Sequence, residues 1–99
     1  MTEHDCGDAQ GGLSRTVTIQ NRRGLHARAA AKFVKLVAEF DAAVQVVRGE
    51  TSVCGQSIMG LMMLAAAPGT SITLLASGPQ APQVLDALAD LVNRKFDED

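Results

Sequence analysis

In the segment Asn21-Arg22-Arg23-Gly24-Leu25-His26-Ala27-Arg28-Ala29-Ala30-Ala31, a histidine stands at the mouth of an alanine-rich stretch, two residues after a glycine and two before an arginine. That spacing suits a transient phosphoryl group. Gly24 can take the positive φ that turns a chain sharply. If a helix starts at Ala27, the first-turn N–H groups of Ala27, Arg28 and Ala29 point at whatever the imidazole carries. A phosphorylated His26 would then be received by backbone amides, helix dipole and guanidinium together. The same dipole disfavours imidazolium, which keeps a neutral ring nitrogen available as nucleophile. The other histidine, His4, lies in the polar N-terminal stretch, so carrier work falls to His26 or to nothing. No Gly-x-Ser-x-Gly segment or activated-cysteine context supports a hydrolytic triad.

Ser57 is the second candidate. It precedes Ile58-Met59-Gly60-Leu61-Met62-Met63-Leu64, a short apolar helix for which it is a natural N-cap. Ile58, Met59, Met62 and Met63 amount to more soft apolar surface than two turns can bury, which reads as an adaptable docking patch. A phosphate on Ser57 would gain from the helix dipole while planting a dianion inside that patch, an electrostatic off-switch. Cys54 reads as a small buried hydrophobe.

The elements that must position these groups follow from periodicity. Alternation from Ser14 to Gln20, with Val17 and Ile19 on one face, predicts a half-buried strand. From Ala27 to Phe40 the residues Ala30, Phe33, Val34 and Val37 form an apolar stripe opposite Arg28, Lys32, Lys35 and Glu39, which predicts an amphipathic helix with a basic outer face. Ala43 to Val47 and Thr51 to Cys54, joined through Arg48-Gly49-Glu50, read as a hairpin. Ser71 to Ala76 is a further strand, and Val84, Leu85, Leu88, Leu91, Val92 and Phe96 mark a last helix with Asp86, Asp90, Asn93 and Arg94 toward water. The order β-α-β-β-α-β-α with a central hairpin predicts an α+β domain over 14–99: a four-stranded, mostly antiparallel sheet with three helices on one face. Residues 1–13, glycine-rich and acidic, read as a flexible tail; His4 and Cys6 within it could bind metal at i, i+2, but a solvated tail is the better reading.

Composition narrows the function classes. The chain has 99 residues, room for a single core but not for a two-domain cleft. Three aromatic residues and a net charge of −2 argue against a nucleic-acid partner. The average hides an asymmetry: Arg15, Arg22, Arg23, Arg28, Lys32 and Lys35 fall in one stretch without a carboxylate, for which an acidic partner or an anion is the complement. The two cysteines fit neither a disulfide framework nor zinc spacing, so a reduced, cytoplasmic setting is expected, with no metal or cofactor. Neither a signal peptide nor a run long enough for membrane insertion is read.

Gly24-Leu25-His26-Ala27-Arg28-Ala29-Ala30-Ala31-Lys32-Phe33-Val34 resembles the active-site signature of HPr, the histidine-containing phosphocarrier family of the bacterial phosphoenolpyruvate-dependent phosphotransferase system. Ser57-Ile58-Met59-Gly60-Leu61-Met62 is similar to that family's regulatory-serine segment, at the family's spacing. The likeness continues through Pro68-Gly69-Thr70 and Gly78 and spans roughly Ser14 to Phe96. The resemblance implies an open-faced β-sandwich in which His26 accepts a phosphoryl group on Nδ1 from phosphorylated enzyme I and passes it to IIA proteins. It implies further that Arg28 is the active-site arginine and Ser57 the target of HPr kinase/phosphorylase. One departure is Ala29, where the family usually has proline; alanine leaves the helix intact and exposes one more amide.

Under this reading Arg28 and the first-turn amides of Ala27, Arg28 and Ala29 hold the phosphoryl oxygens. Ile58, Met59 and Met62, with the basic stripe of Arg28 and Lys32, dock on partners that are apolar at the centre and acidic around it. A monomer is expected, because the docking patch must stay accessible. Two alternatives stand beside it: a βαβ module that senses a small ligand at Gly24–Ala29 without phosphotransfer, and a carrier of a nitrogen-related branch.

Overall fold

The computed structural model of the chain describes residues 12–98; His4, Cys6 and most of the segment read as a tail lie outside them. Its elements run β1 (Leu13–Thr18), α1 (Ala27–Val37), β2 (Ala43–Arg48), β3 (Thr51–Cys54), α2 (Ile58–Met63), β4 (Ser71–Ser77) and α3 (Ala81–Asn93), followed by a short 3-10 turn, Lys95–Asp97. The expected order is present. The four strands form one open sheet in the order β1-β4-β2-β3, and each neighbouring pair is antiparallel. β1 begins at Leu13, opposite Ala76, one residue inside the segment read as tail.

Alternation decides the inner face of the sheet. Val17, Val44, Val46, Ile72, Leu74 and Ala76 are buried under the helices, where they meet Phe33, Val37, Leu61, Val84, Leu88 and Val92. Fully burying each large side chain of this set stabilises by about 1.5–3 kcal/mol, so an aliphatic core suffices. The other face is polar, and hydroxyl pairs bridge β1 and β4 at Thr16–Thr73 and Thr18–Ser71. Gly49 (φ +60°) opens the two-residue turn between Arg48 and Thr51, as the hairpin pattern required.

The ends of α1 and α3 differ most from the periodicity, and β1 stops at Thr18, not Gln20. α1 stops at Val37, not Phe40, because the chain tightens there: Glu39 and Phe40 donate to the carbonyls of Leu36 and Val37, three residues back. Phe40 keeps a partly buried place beside the core. Phe96 fits the stripe of the last helix but does not belong to it. α3 ends at Asn93, and Lys95, Phe96 and Asp97 all adopt left-handed conformations (φ 60°, 55° and 61°). The turn reverses the backbone while driving the Phe96 ring wholly into the core. Its burial offsets part of the cost of three non-glycine residues at positive φ. Phe96→Ala is therefore expected to cost about 3–5 kcal/mol, and a thermal unfolding midpoint within a few degrees of wild type would contradict this role.

Candidate functional site

The loop before α1 is built on Gly24. With φ +69° it takes a conformation that a side chain strains, and a Cβ there would stand 2.4 Å from the Ala66 carbonyl oxygen. That same oxygen accepts the Leu25 N–H at 3.0 Å, while the Gly24 N–H reaches the Asn21 carbonyl and the His26 N–H the Gly24 carbonyl. Leu25 is buried beneath, so the loop is clamped from below and His26 is presented above it.

His26 is the N-cap of α1, with extended backbone (φ −82°, ψ −176°), and its carbonyl accepts the first helical bond, from the Ala30 N–H at 2.8 Å. The amides of Ala27, Arg28 and Ala29 precede that bond and so have no carbonyl partner within the helix. One of them is engaged: the Arg28 N–H donates to His26 Nδ1 over a long 3.4 Å. On the far side of the ring, Nε2 lies 2.5 Å from Glu98 Oε2. Since an ionised carboxylate only accepts, Nε2 carries the hydrogen and Nδ1, facing a donor, carries the lone pair. The imidazole is neither walled in nor free, its side chain 22% exposed.

Glu98 is itself held. Its side chain is 10% exposed, and its other oxygen accepts from Asn21 Nδ2 at 3.0 Å. The same Asn21 nitrogen donates to the Gly24 carbonyl at 2.8 Å, so both of its hydrogens meet acceptors and the amide orientation is unambiguous. Burial alone would push the Glu98 carboxyl up; the hydrogen bonds from Asn21 and His26, with the nearby charge of Arg28, outweigh it and hold the group below the usual carboxylate range. Sequence reasoning missed Asn21 and Glu98. Asn21 opens the motif without a chemical signal of its own, and Glu98 lies 72 residues from His26, with no periodic pattern joining them.

His26 itself lines a pocket of about 210 Å³ with Arg23, Leu25 and Ala65 to Ala67, and a larger cleft of about 390 Å³ is lined by Arg22, Arg23, Arg28, Lys32, Asp97 and Glu98. This changes the expected basic stretch. Its carboxylates come from the far end of the chain, and Arg15 is absent from the cleft because it pairs with Asp86 at 2.6 Å. Lys32, expected to point at a docking partner, donates through Nζ to the Phe96 carbonyl at 2.7 Å and so anchors the left-handed turn. Ala29, beyond its backbone role, has a fully buried side chain, so a methyl group already fills that packing position.

Ser57 caps α2 as expected: its hydroxyl accepts the Gly60 N–H at 2.9 Å. Only Leu61 of that helix is buried, whereas Met59 and Met63 are 73% and 75% exposed and Ile58 and Met62 also face outward. α2 packs beside α1, so this patch and the histidine belong to neighbouring helices. Cys54 is half-buried, not buried, with its sulfur accepting from the Gln56 N–H at 3.4 Å, because it sits at the end of the edge strand β3. Among the described residues no helix is long and apolar enough to cross a membrane.

The family described as the HPr component phosphorylation site of the phosphotransferase system matches residues 13–94. The chain belongs to the HPr family of phosphocarrier proteins. Among relatives, it is 50% identical to the phosphocarrier protein NPr of Shewanella violacea, covering 87% of this chain and 94% of that one. It is 49% identical to the phosphocarrier protein HPr of Pseudomonas aeruginosa, over 83% of this chain and 92% of the other. The crystal structure of an HPr from Thermoanaerobacter tengcongensis superposes with a TM-score of 0.84 at 37% identity, covering 88% of this chain and 98% of that one. The open-faced sandwich implied by the signature is thus the fold of this HPr-family chain. Its match takes in His26 and Ser57 together with the strands and helices that place them.

Proposed function

We propose that this HPr-family protein accepts a phosphoryl group on His26 Nδ1 from phosphorylated enzyme I and delivers it to IIA proteins, acting as a cytoplasmic monomer. The observation that carries this reading is the orientation of one atom: Nδ1 bears the lone pair and faces the first-turn amide of Arg28 at the N-terminus of α1. In the transfer, that lone pair forms the new P–N bond as the P–N bond to the donor's histidine breaks, and the donor nitrogen keeps the electron pair. No base is needed. The demands are in-line approach and charge stabilisation, which Arg28, the amides of Ala27 and Ala29 and the helix dipole supply.

The exposed Ile58, Met59 and Met62 give partners of different shape a surface that repacks, and the cations of the cleft complement an acidic rim. Ser57 is the regulatory site in this reading, open to HPr kinase/phosphorylase. Ser57→Asp is expected to raise the KM for enzyme I roughly tenfold, about 1.4 kcal/mol of lost docking, by placing a charge at an apolar contact. Unchanged transfer kinetics would put α2 outside the interface. Relatives named HPr and NPr stand at nearly equal identity, 49% and 50%, so a nitrogen-related branch is the second reading. It is tested by comparing uptake from the enzyme I forms of the two branches. The first experiment is intact-mass measurement after incubation with enzyme I and phosphoenolpyruvate: one acid-labile phosphoryl adduct supports the carrier, and an unmodified mass supports the ligand-sensing alternative.

A further inference from the structure

We infer that Glu98 is a positioning residue for phosphoryl transfer: its carboxylate fixes the hydrogen on His26 Nε2, aims Nδ1 at the α1 amides, and balances the charge the ring acquires when Nδ1 is phosphorylated. The inference rests on the carrier reading above and adds a residue that neither the glycine-histidine signature nor the serine segment contains.

Three observations carry it. The first is contact: Glu98 Oε2 lies 2.5 Å from Nε2, on the ring edge opposite the nitrogen that faces the Arg28 amide. A phosphoryl group arriving at Nδ1 therefore does not displace the carboxylate. The second is support. Asn21, fully buried, donates to the other Glu98 oxygen and to the Gly24 carbonyl, so the carboxylate is tied to the turn that presents His26. The third is the means of delivery. Glu98 follows the left-handed Lys95–Asp97 turn, which is pinned from inside by the buried Phe96 ring and from outside by Lys32 on its carbonyl. A carboxylate on a frayed end would not hold one ring edge; this one is set by the core.

The charge balance gives the arrangement a purpose. Before transfer the ring is neutral, with hydrogen on Nε2 and the lone pair on Nδ1. When Nδ1 bonds to phosphorus the hydrogen stays on Nε2, and the ring carries a formal positive charge until the group leaves for the next acceptor. No proton has to move in either step, because the carboxylate already accepts that hydrogen bond and compensates the charge where it develops. This is the logic by which a buried carboxylate holds a histidine's tautomer and stabilises its cationic form in acyl transfer, applied here to a nitrogen nucleophile.

Glu98→Gln removes the charge and keeps the shape. Two readouts are taken on the full chain, wild type and variant together: the imidazole N–H proton of His26 by NMR, and the rate of phosphoryl uptake from phosphorylated enzyme I. In the wild type the Nε2 proton is expected far downfield and protected from exchange; in the variant that signal moves upfield or is lost. The turnover of uptake is expected to fall about tenfold with the KM for enzyme I within twofold, the signature of a misaimed nucleophile with docking intact. A variant retaining the wild-type proton signal and rate overturns the proposal, and so does faster uptake, which would make the carboxylate a plug. If wild-type protein takes up no phosphoryl group the carrier reading fails, and the NMR signal still decides whether Glu98 holds the tautomer.

Discussion

His26→Ala protein incubated with enzyme I and phosphoenolpyruvate acquires no acid-labile phosphoryl group, whereas Ser57→Ala protein acquires it as the wild type does. The loss is expected to be complete because no other side chain in the site combines a lone pair with this geometry. The basic cleft is lined by guanidinium, ammonium and carboxylate groups, the pocket that His26 lines adds only Arg23 and apolar residues, and the remaining donors are backbone amides. The cations and amides bind a phosphoryl group without bonding to phosphorus, and the carboxylates repel it, with both Glu98 oxygens already held by Asn21 and His26. The fold should survive the change. His26 contributes its carbonyl to the helix through Ala30, which alanine retains, and the lost imidazole cap was a long 3.4 Å contact. The control matters because Ser57→Ala gives up the hydroxyl bond to Gly60, worth about 1 kcal/mol of cap energy, without touching the histidine. Label remaining on the His26→Ala protein would refute the carrier assignment.

Gly24→Ala is expected to be nearly as damaging to transfer through geometry alone. A Cβ at φ +69° costs about 1–2 kcal/mol in the left-handed conformation, and the added methyl would stand 2.4 Å from the Ala66 oxygen. That neighbour is backbone and is itself bonded to the Leu25 N–H, so it cannot yield without releasing the loop. The chain must either move the Asn21–His26 turn or separate it from the segment after α2. Either response shifts an imidazole whose two nitrogens are each held by a specific partner. A displacement of that order lowers the rate of uptake about a hundredfold, and the thermal midpoint falls by roughly 4–8 °C for each kcal/mol lost. Uptake at the wild-type rate would show that the turn is not what aims the ring.

The parts of this site readable from sequence were those whose physics is local. Positive φ at Gly24, a helix opening at Ala27, the cap at Ser57 and the apolar surplus on α2 each depend on neighbours within a few positions. The strands were readable for the same reason, since alternation at Val17, Val44, Val46, Ile72 and Leu74 states which face turns inward. Phe96 misled the periodicity because a stripe records burial and not the backbone that achieves it. The Asn21–Glu98–His26 chain was invisible because its members meet only after α3 has crossed the sheet and the left-handed turn has brought the chain back. Lys32 and Arg15 show the same blindness: a basic residue looks available until the carbonyl or carboxylate that it also meets is located.

The pairing of β1 with β4 has a bearing on how the molecule is made. Leu13 waits for Ala76, and Thr18 for Ser71, so the first strand emerging from a ribosome has no hydrogen-bonding neighbour until most of the polypeptide has been translated. The turn bearing His26 waits as well, since its anchor is the carbonyl of Ala66. Nascent chains thus hold the histidine and its arginine long before they hold the arrangement that gives those residues their chemistry, which waits first for Ala66 and then for Glu98.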